Sequence, residues 1–309
     1  MNDDLVWPET PVSLEKLIDV GAENFQRRNL YFGHGTDNPW DEAMWLAFHA
    51  LGLTWSSDPE VLQQTLNREQ QRKVIALYQR RIDERKPAAY LTGIMAFAGL
   101  EFIVSPDVLV PRSPIAELIA SHFKPWLVEA PARILDLCTG SGCIGIACAT
   151  VFTEADVDCS DISTAALTIA ESNIRRHQLT GRVRTVVSDM FAQLQASYDL
   201  IVSNPPYVDV EDLAAMPLEY RAEPELGLAA GDDGLDFCRR ILRAAPSYLN
   251  PGGCLIVEVG NSWQALEQAF PQVPFTWIEF EYGGQGVFIF SAEELAQYAP
   301  YFGDDDIIR

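Results

Sequence analysis

The sequence predicts an α/β fold: a doubly wound parallel sheet with an antiparallel closing strand, preceded by a helical domain. Three observations carry that expectation. Apolar residues recur at helical spacing through the first part of the chain, and no strand pattern appears before Tyr90. From Pro131 onward, short apolar runs alternate with amphipathic stretches, as repeated β–α units in a parallel sheet do. The last two apolar runs follow one another across Gly283–Gly286, which adds an antiparallel strand at an edge.

Leu14, Leu17, Ile18 and Phe25 mark a first helix, and Val74, Leu77, Tyr78 and Ile82 a later one. Asp41 is placed to cap a helix carrying Met44, Trp45 and Phe48. Pro87 ends this helical part. Residues 90–112 differ: Gly93, Gly99, Pro106 and Pro111 separate short apolar runs, the pattern of a β-hairpin connector. The alternation then runs in order: strand Arg133–Leu137, helix Gly142–Val151, strand Asp156–Cys159, and helix Ser163–His177 capped by Ser163. Strands Val183–Val187 and Leu200–Ser203 follow, then helix Leu235–Leu249, strand Cys254–Val259 and helix Ser262–Phe270. Strands Phe275–Tyr282 and Val287–Phe290 close the pattern. The organisation read from this is a helical domain over 1–89, a hairpin linker over 90–112 and an α/β domain over 113–309. There are no internal repeats, and the Asp304–Asp306 run reads as a solvated tail.

The 309 residues carry 22 Lys+Arg against 44 Asp+Glu, a formal charge of −22. Binding to nucleic acid rests on cationic side chains neutralising phosphates, so this chain is expected to hold no stable nucleic acid. It is also repelled by anionic membranes, and steered toward a basic partner. The N-terminal stretch is acidic with no signal-peptide character, and no apolar run approaches the roughly 20 residues of a membrane span. The chain reads as cytoplasmic. Its 6 cysteines form no CxxC pair and its 4 histidines no HxxxH. Free thiols and no metal site are expected.

Two motifs carry the chemistry. After the first strand of the α/β part comes D-L-C-T-G-S-G-C-I-G, with Gly140 and Gly142 where a tight turn meets a helix N-terminus. The next strand ends in Asp161, an acceptor suited to ribose hydroxyls. Gly140, Gly142 and Gly145 match GxGxxG, which fits a dinucleotide site, an S-adenosylmethionine site or a structural turn. Asp136, at the strand's end, suits a cationic amine or sulfonium better than a pyrophosphate. The second motif follows the fourth strand: Asn204-Pro205-Pro206-Tyr207. Ligands bind at the carboxyl ends of parallel strands. Two prolines fix the backbone and donate no N–H. With the Asn204 side-chain oxygen they form rigid acceptors for an NH2 group, and Tyr207 offers a flat face to a planar amide or base.

On these residues the C-terminal two-thirds resembles the class I methyltransferases that use S-adenosylmethionine and carry NPPY. DLCTGSG, Asp161, SDMF at Ser188–Phe191, SNPPYV, Glu223–Phe237 and LVPRS at Leu109–Ser113 together resemble the family that methylates glutamine side-chain amides in proteins of the translation apparatus. A Rossmann-like domain behind an N-terminal helical domain and a hairpin is what that family implies. One branch acts on the GGQ glutamine of release factors, the other on a glutamine in the third protein of the large ribosomal subunit. Tyr31–Ala43, PRSPIAEL at Pro111–Leu118 and the ending GGQGVFIF look like the ribosomal-protein branch. GGQ here reads as a hairpin turn, the alternative being a pseudo-substrate. The resemblance implies S-adenosylmethionine held by Cys138, Thr139, Gly140, Ser141 and Gly142, with Asp161 at the ribose, Asp189 and Met190 at the adenine, and Asn204 nearby. Met190 departs from the aromatic residue many members carry. Asp136 is read either as a cofactor contact, direct or through water, or as an acceptor for the loop's own N–H groups. Catalysis is assigned to Asn204, Pro205, Pro206 and Tyr207, the Asn204 oxygen and Pro205 carbonyl each accepting one amide N–H. Arg112 either anchors the hinge or lines the substrate entry, and Tyr31–Trp40 is either a specificity loop or a connector. The implied partner is a basic ribosomal protein. The alternatives are a release-factor methyltransferase and an exocyclic-amino nucleic-acid methyltransferase. A nicotinamide dehydrogenase would not need NPPY, and a ribosomal-protein chaperone would need no cofactor.

Overall fold

The computed structural model describes residues 5–303, so the Asp304–Asp306 run lies outside the described residues. The chain divides into two compact units. One comprises residues up to Met95 together with Val104–Pro106 and Pro217–Ala222; the other comprises Ala96–Ile103, Asp107–Met216 and the chain from Glu223 on.

The first unit is helical: α1 (Leu14–Arg27), α2 (Pro39–Leu51), α3 (Arg68–Glu84) and the short α4 (Ala88–Thr92). The expected apolar stripes form its core, with Leu14, Leu17, Ile18, Phe25, Val74 and Tyr78 fully buried. Side chains cap each long helix. Ser13 accepts from the Lys16 N–H, and Asn67 and Gln70 make a capping box. The cap of α2 is Asn38, not Asp41. Asn38 accepts the Asp41 N–H at 2.9 Å, and Pro39 fills the first helical position, where no N–H is needed. Pro87 does not end the helical part; it stands immediately before α4. Arg81, Glu42 and Glu219 are all buried. Arg81 Nε donates to Glu42 at 2.6 Å, Nη1 reaches Glu219 at 3.4 Å and Nη2 donates to the Tyr31 carbonyl at 2.9 Å. Of Tyr31–Trp40, residues 31–38 lie between α1 and α2 and Pro39 and Trp40 open α2; the rings of Tyr31 and His34 lie against Tyr220.

A hairpin of β1 (Ile94–Phe97) and β2 (Leu100–Ile103) follows, where the Gly/Pro spacing places it. In the second unit come α5 (Ile115–Ala120), β3 (Arg133–Leu137), α6 (Cys143–Val151), β4 (Asp156–Asp161), α7 (Thr164–Arg176), β5 (Val183–Val187) and β6 (Tyr198–Ser203). Then come α8 (Val210–Ala215), α9 (Asp236–Ala244), β7 (Leu249–Glu258), α10 (Trp263–Ala269), β8 (Thr276–Trp277), β9 (Val287–Ser291) and α11 (Ala292–Tyr298). The strand order is β5-β4-β3-β6-β7-β9-β8, with β9 antiparallel to both β7 and β8. Apolar side chains cover both faces of this sheet, as a parallel sheet requires.

Two expected elements are shorter. The helix from Leu235 gives way at Ala245–Ser247, where Pro246 cannot continue it. The strand over Phe275–Tyr282 shrinks to Thr276–Trp277, because the Glu281 and Tyr282 N–H groups turn to the Glu117 carboxylate. Gly283, Gly284 and Gly286 have positive φ in the expected turn. Among the described residues no helix is long and apolar enough to cross a membrane.

Candidate active site

The order of strands reverses between β3 and β6, and the loops leaving their carboxyl ends flank a cavity of about 330 Å³. The two ends are stitched together: Ser203 Oγ, at the end of β6, donates to the Leu137 carbonyl at 2.7 Å. Both motifs of the sequence thus meet at one place.

The glycine loop leaves β3 through residues in the left-handed region. Cys138 has φ +60, Gly140 +54 and Gly142 +81. A non-glycine residue there is strained, and such strain clusters at binding sites. The loop is held from behind. Asn173 Nδ2 on α7 donates to the Ser141 carbonyl at 2.9 Å, and its Oδ1 accepts the Ile103 N–H at 2.7 Å. Gly145 lets α6 approach β3 and β4, since a Cβ there would sit 2.9 Å from Asp136 Cβ and 2.6 Å from Cys159 Sγ.

Cys138, Thr139, Gly140, Ser141, Asp161, Asp189, Met190, Asn204, Pro206 and Tyr207 line the cavity. Asp161 accepts the Gly140 N–H on one oxygen and the Ser163 N–H on the other, both at 2.9 Å. A carboxylate has about four lone-pair sites, so each oxygen keeps capacity for a hydroxyl. Burial raises its pKa. Met190 is in the left-handed region, with its sulfur 3.9 Å from Cys138 Sγ, while Asp189 pairs with Arg240 at 2.5 Å.

Three predicted residues stand off the wall. Gly142 sits at the helix start behind the loop, and Pro205 is buried beside the cavity. Asp136 is 0% exposed and does not line the cavity. Of the two roles expected for it, the structure shows the second. Its Oδ2 accepts the Gly145 N–H at 2.8 Å and the Thr139 hydroxyl. Burial in this low-dielectric position raises its carboxyl to about 7.

Asn204 carries an unusual feature. Its Oδ1 is buried and receives no hydrogen bond from any described residue. A buried acceptor without a donor costs about 1–3 kcal/mol, so such a group marks a place where a donor is to be supplied. Pro205 and Pro206 follow and have no N–H to give.

Arg112 both anchors and lines. It forks onto Glu223, Nη1 to Oε1 at 2.6 Å and Nη2 to Oε2 at 2.9 Å, and it borders the cavity. Sequence reasoning missed Glu258 at the end of β7, which also borders the cavity. The signal was present: Glu258 is the one charged residue in CLIVEVG.

The family model described as "Methyltransferase small domain" matches residues 115–218. The chain is 47% identical over 277 residues to the ribosomal protein uL3 glutamine methyltransferase of Francisella tularensis subsp. tularensis (strain SCHU S4 / Schu 4), covering 89% of this chain and 88% of that one. It is 49% identical over 285 residues to the protein of the same name from Xanthomonas campestris pv. campestris, covering 92% of each. The hMettl16 catalytic domain, solved in complex with MAT2A 3'UTR hairpin 6, shares the fold at TM-score 0.52 and 16% identity, over 80% of this chain and 87% of that one.

Proposed function

Because this chain belongs to the family of ribosomal protein uL3 glutamine methyltransferases, we propose that the cavity between the β3 and β6 loops is where a glutamine of uL3 is methylated. The protein transfers a methyl group from S-adenosylmethionine to the side-chain amide nitrogen. The observation that carries the site assignment is the undonated Asn204 Oδ1.

The residues present fit the cofactor. Asp161 retains lone pairs for hydroxyls, the left-handed loop brings the backbone to the cavity, and Met190 offers a polarizable face for a purine. Asp136 acts from behind, fixing Thr139 and the start of α6. When bound, S-adenosylmethionine supplies an electrophilic methyl group on a sulfonium.

An amide nitrogen shares its lone pair with its carbonyl and is a weak nucleophile. The chain's contribution is therefore positioning. Asn204 Oδ1 accepts an amide N–H, which holds the nitrogen and stabilises positive charge growing on it; Pro205, off the cavity wall, stiffens the backbone that carries Asn204. Orienting reactants in this way contributes up to ~7–11 kcal/mol. Tyr207 forms the wall beside the amide plane. The excess of acidic side chains attracts a basic ribosomal protein before RNA covers it.

The test is methyl transfer from labelled S-adenosylmethionine onto purified uL3 and, separately, a release factor. Label is expected on uL3 alone, and Asn204→Ala should lose roughly 10²–10³ in rate with the fold intact. Label on the release factor alone would overturn the substrate, and a fully active Asn204→Ala would overturn the site.

A further inference from the structure

We infer that Glu258 is a positioning residue for the transfer, acting through the Tyr207 hydroxyl to hold that ring as a fixed wall of the amide site. The inference rests on the reading of Asn204 given above. β6 and β7 are parallel neighbours, with Ser203 opposite Val257. The next residue of each strand is Asn204 and Glu258, so the two leave the sheet side by side, and both border the cavity.

Glu258 is 5% exposed. Its Oε1 accepts from the Tyr207 hydroxyl at 3.2 Å, and its Oε2 from the Ser113 hydroxyl at 2.5 Å. Tyr207 is held elsewhere too. Its carbonyl accepts from Ser262 Oγ at 2.7 Å. Its ring lies against Gly260, where a Cβ would sit 2.4 Å from Cε2. A ring fixed at its hydroxyl, its edge and its backbone keeps one pose. Misplacement of a reacting group by about 1 Å can cost 10²-fold in rate, so such fixation bears directly on turnover.

An acid at the end of an apolar strand is costly to bury, and the transfer as described makes no direct use of it. The groups facing Glu258 are Ser113 and Arg112, from the segment before α5, and Tyr207, from the exit of β6. Arg112 is forked to Glu223 and lowers the Glu258 pKa only in part. Burial dominates and raises that carboxyl to about 7. Ionised, it accepts from both hydroxyls. Protonated, it loses its charge and turns one oxygen into a donor, so the hold on Tyr207 loosens as pH falls through the neutral range.

The test is a double-mutant cycle in single-turnover methyl transfer to uL3, from pH 6 to 9, with cofactor affinity titrated for each protein. Glu258→Gln and Tyr207→Phe should each slow transfer by roughly tenfold to a hundredfold. The double variant should be no slower than the slower single, as coupled residues behave. Both singles should lose the wild-type decline below pH 7, with cofactor affinity within about twofold of wild type. Multiplicative losses, or a wild-type pH profile in Glu258→Gln, would overturn the inference. Should Glu258→Gln not fold, Tyr207→Phe, which removes only the hydroxyl, carries the test. A wild-type rate and pH profile in it would be equally fatal. Wild-type protein that leaves uL3 unlabelled would remove the underlying reading instead.

Discussion

Replacing Asp136 by Asn should stabilise the sheet unit at alkaline pH relative to wild type, and progressively less as pH falls. Asp136 has no exposed surface, and burial raises its carboxyl from 3.8 to about 7. The folded state therefore holds a proton that the unfolded chain has released. Stability from this group is fully present below about pH 4 and is lost as pH rises to about 7. At about 1.36 kcal/mol per pKa unit, the loss totals about 4 kcal/mol. Asn keeps the geometry: its oxygen, in the place of Oδ2, accepts both the Gly145 N–H and the Thr139 hydroxyl. It does not titrate. Equilibrium urea unfolding of both proteins, from pH 5 to pH 8, reads the difference. Every other acid is common to both, so only Asp136 contributes to the change. The stability of the variant relative to wild type should rise by about 3 kcal/mol over that interval. A difference that stays flat would refute the claim that burial outweighs these hydrogen bonds and raises the Asp136 carboxyl.

Three further outcomes are expected. Gly145→Ala places a Cβ 2.6 Å from Cys159 Sγ and 2.9 Å from Asp136 Cβ, so α6 must move. Thermal unfolding should show about 1–3 kcal/mol of lost stability and weaker cofactor binding. Arg81→Met leaves Glu42 buried without its cation, and Glu219 with Arg85 alone, at a cost of about 3–5 kcal/mol in urea unfolding. Association with uL3, followed by stopped flow, should slow steeply with added salt, since a chain of charge −22 steers a basic partner over distances that salt screens. A salt-independent rate would remove steering from the account.

The strands were legible where local sequence decides them. Arg133–Leu137 and Val183–Val187 are short apolar runs whose pairing partners lie in the same β–α alternation, and the structure has them at those bounds. The helices α4, α5 and α8 went unseen because 5 or 6 residues make too few turns to show a period. The start of α2 was displaced because Asp41 and Asn38 are both good caps, and Pro39 decides between them. The site divides in the same way. The glycine loop and NPPY are contiguous motifs and could be read directly. The supports are not contiguous: Asn173 on α7 holds Ser141, while Glu258 and Ser262 hold Tyr207 and Ser113 in turn holds Glu258. Only the folded chain brings these together, and only the lone acid of CLIVEVG hinted at one of them. Asp136 keeps two readings in the sequence because spacing along a strand does not say which of two surfaces a strand-end residue faces.

The first unit takes Pro217–Ala222 from far along the chain, and Glu219 within that segment reaches Arg81. Synthesis on the ribosome proceeds from the N-terminus at about 5–20 residues per second. For the time it takes to add the residues between them, Arg81 waits for one of its two carboxylates. The helical unit is thus completed only after the glycine loop and NPPY have been made. A fragment ending at Met95 would hold the same helices around an unfinished ion cluster, and a shorter gene for this unit would need residue 219 supplied from elsewhere.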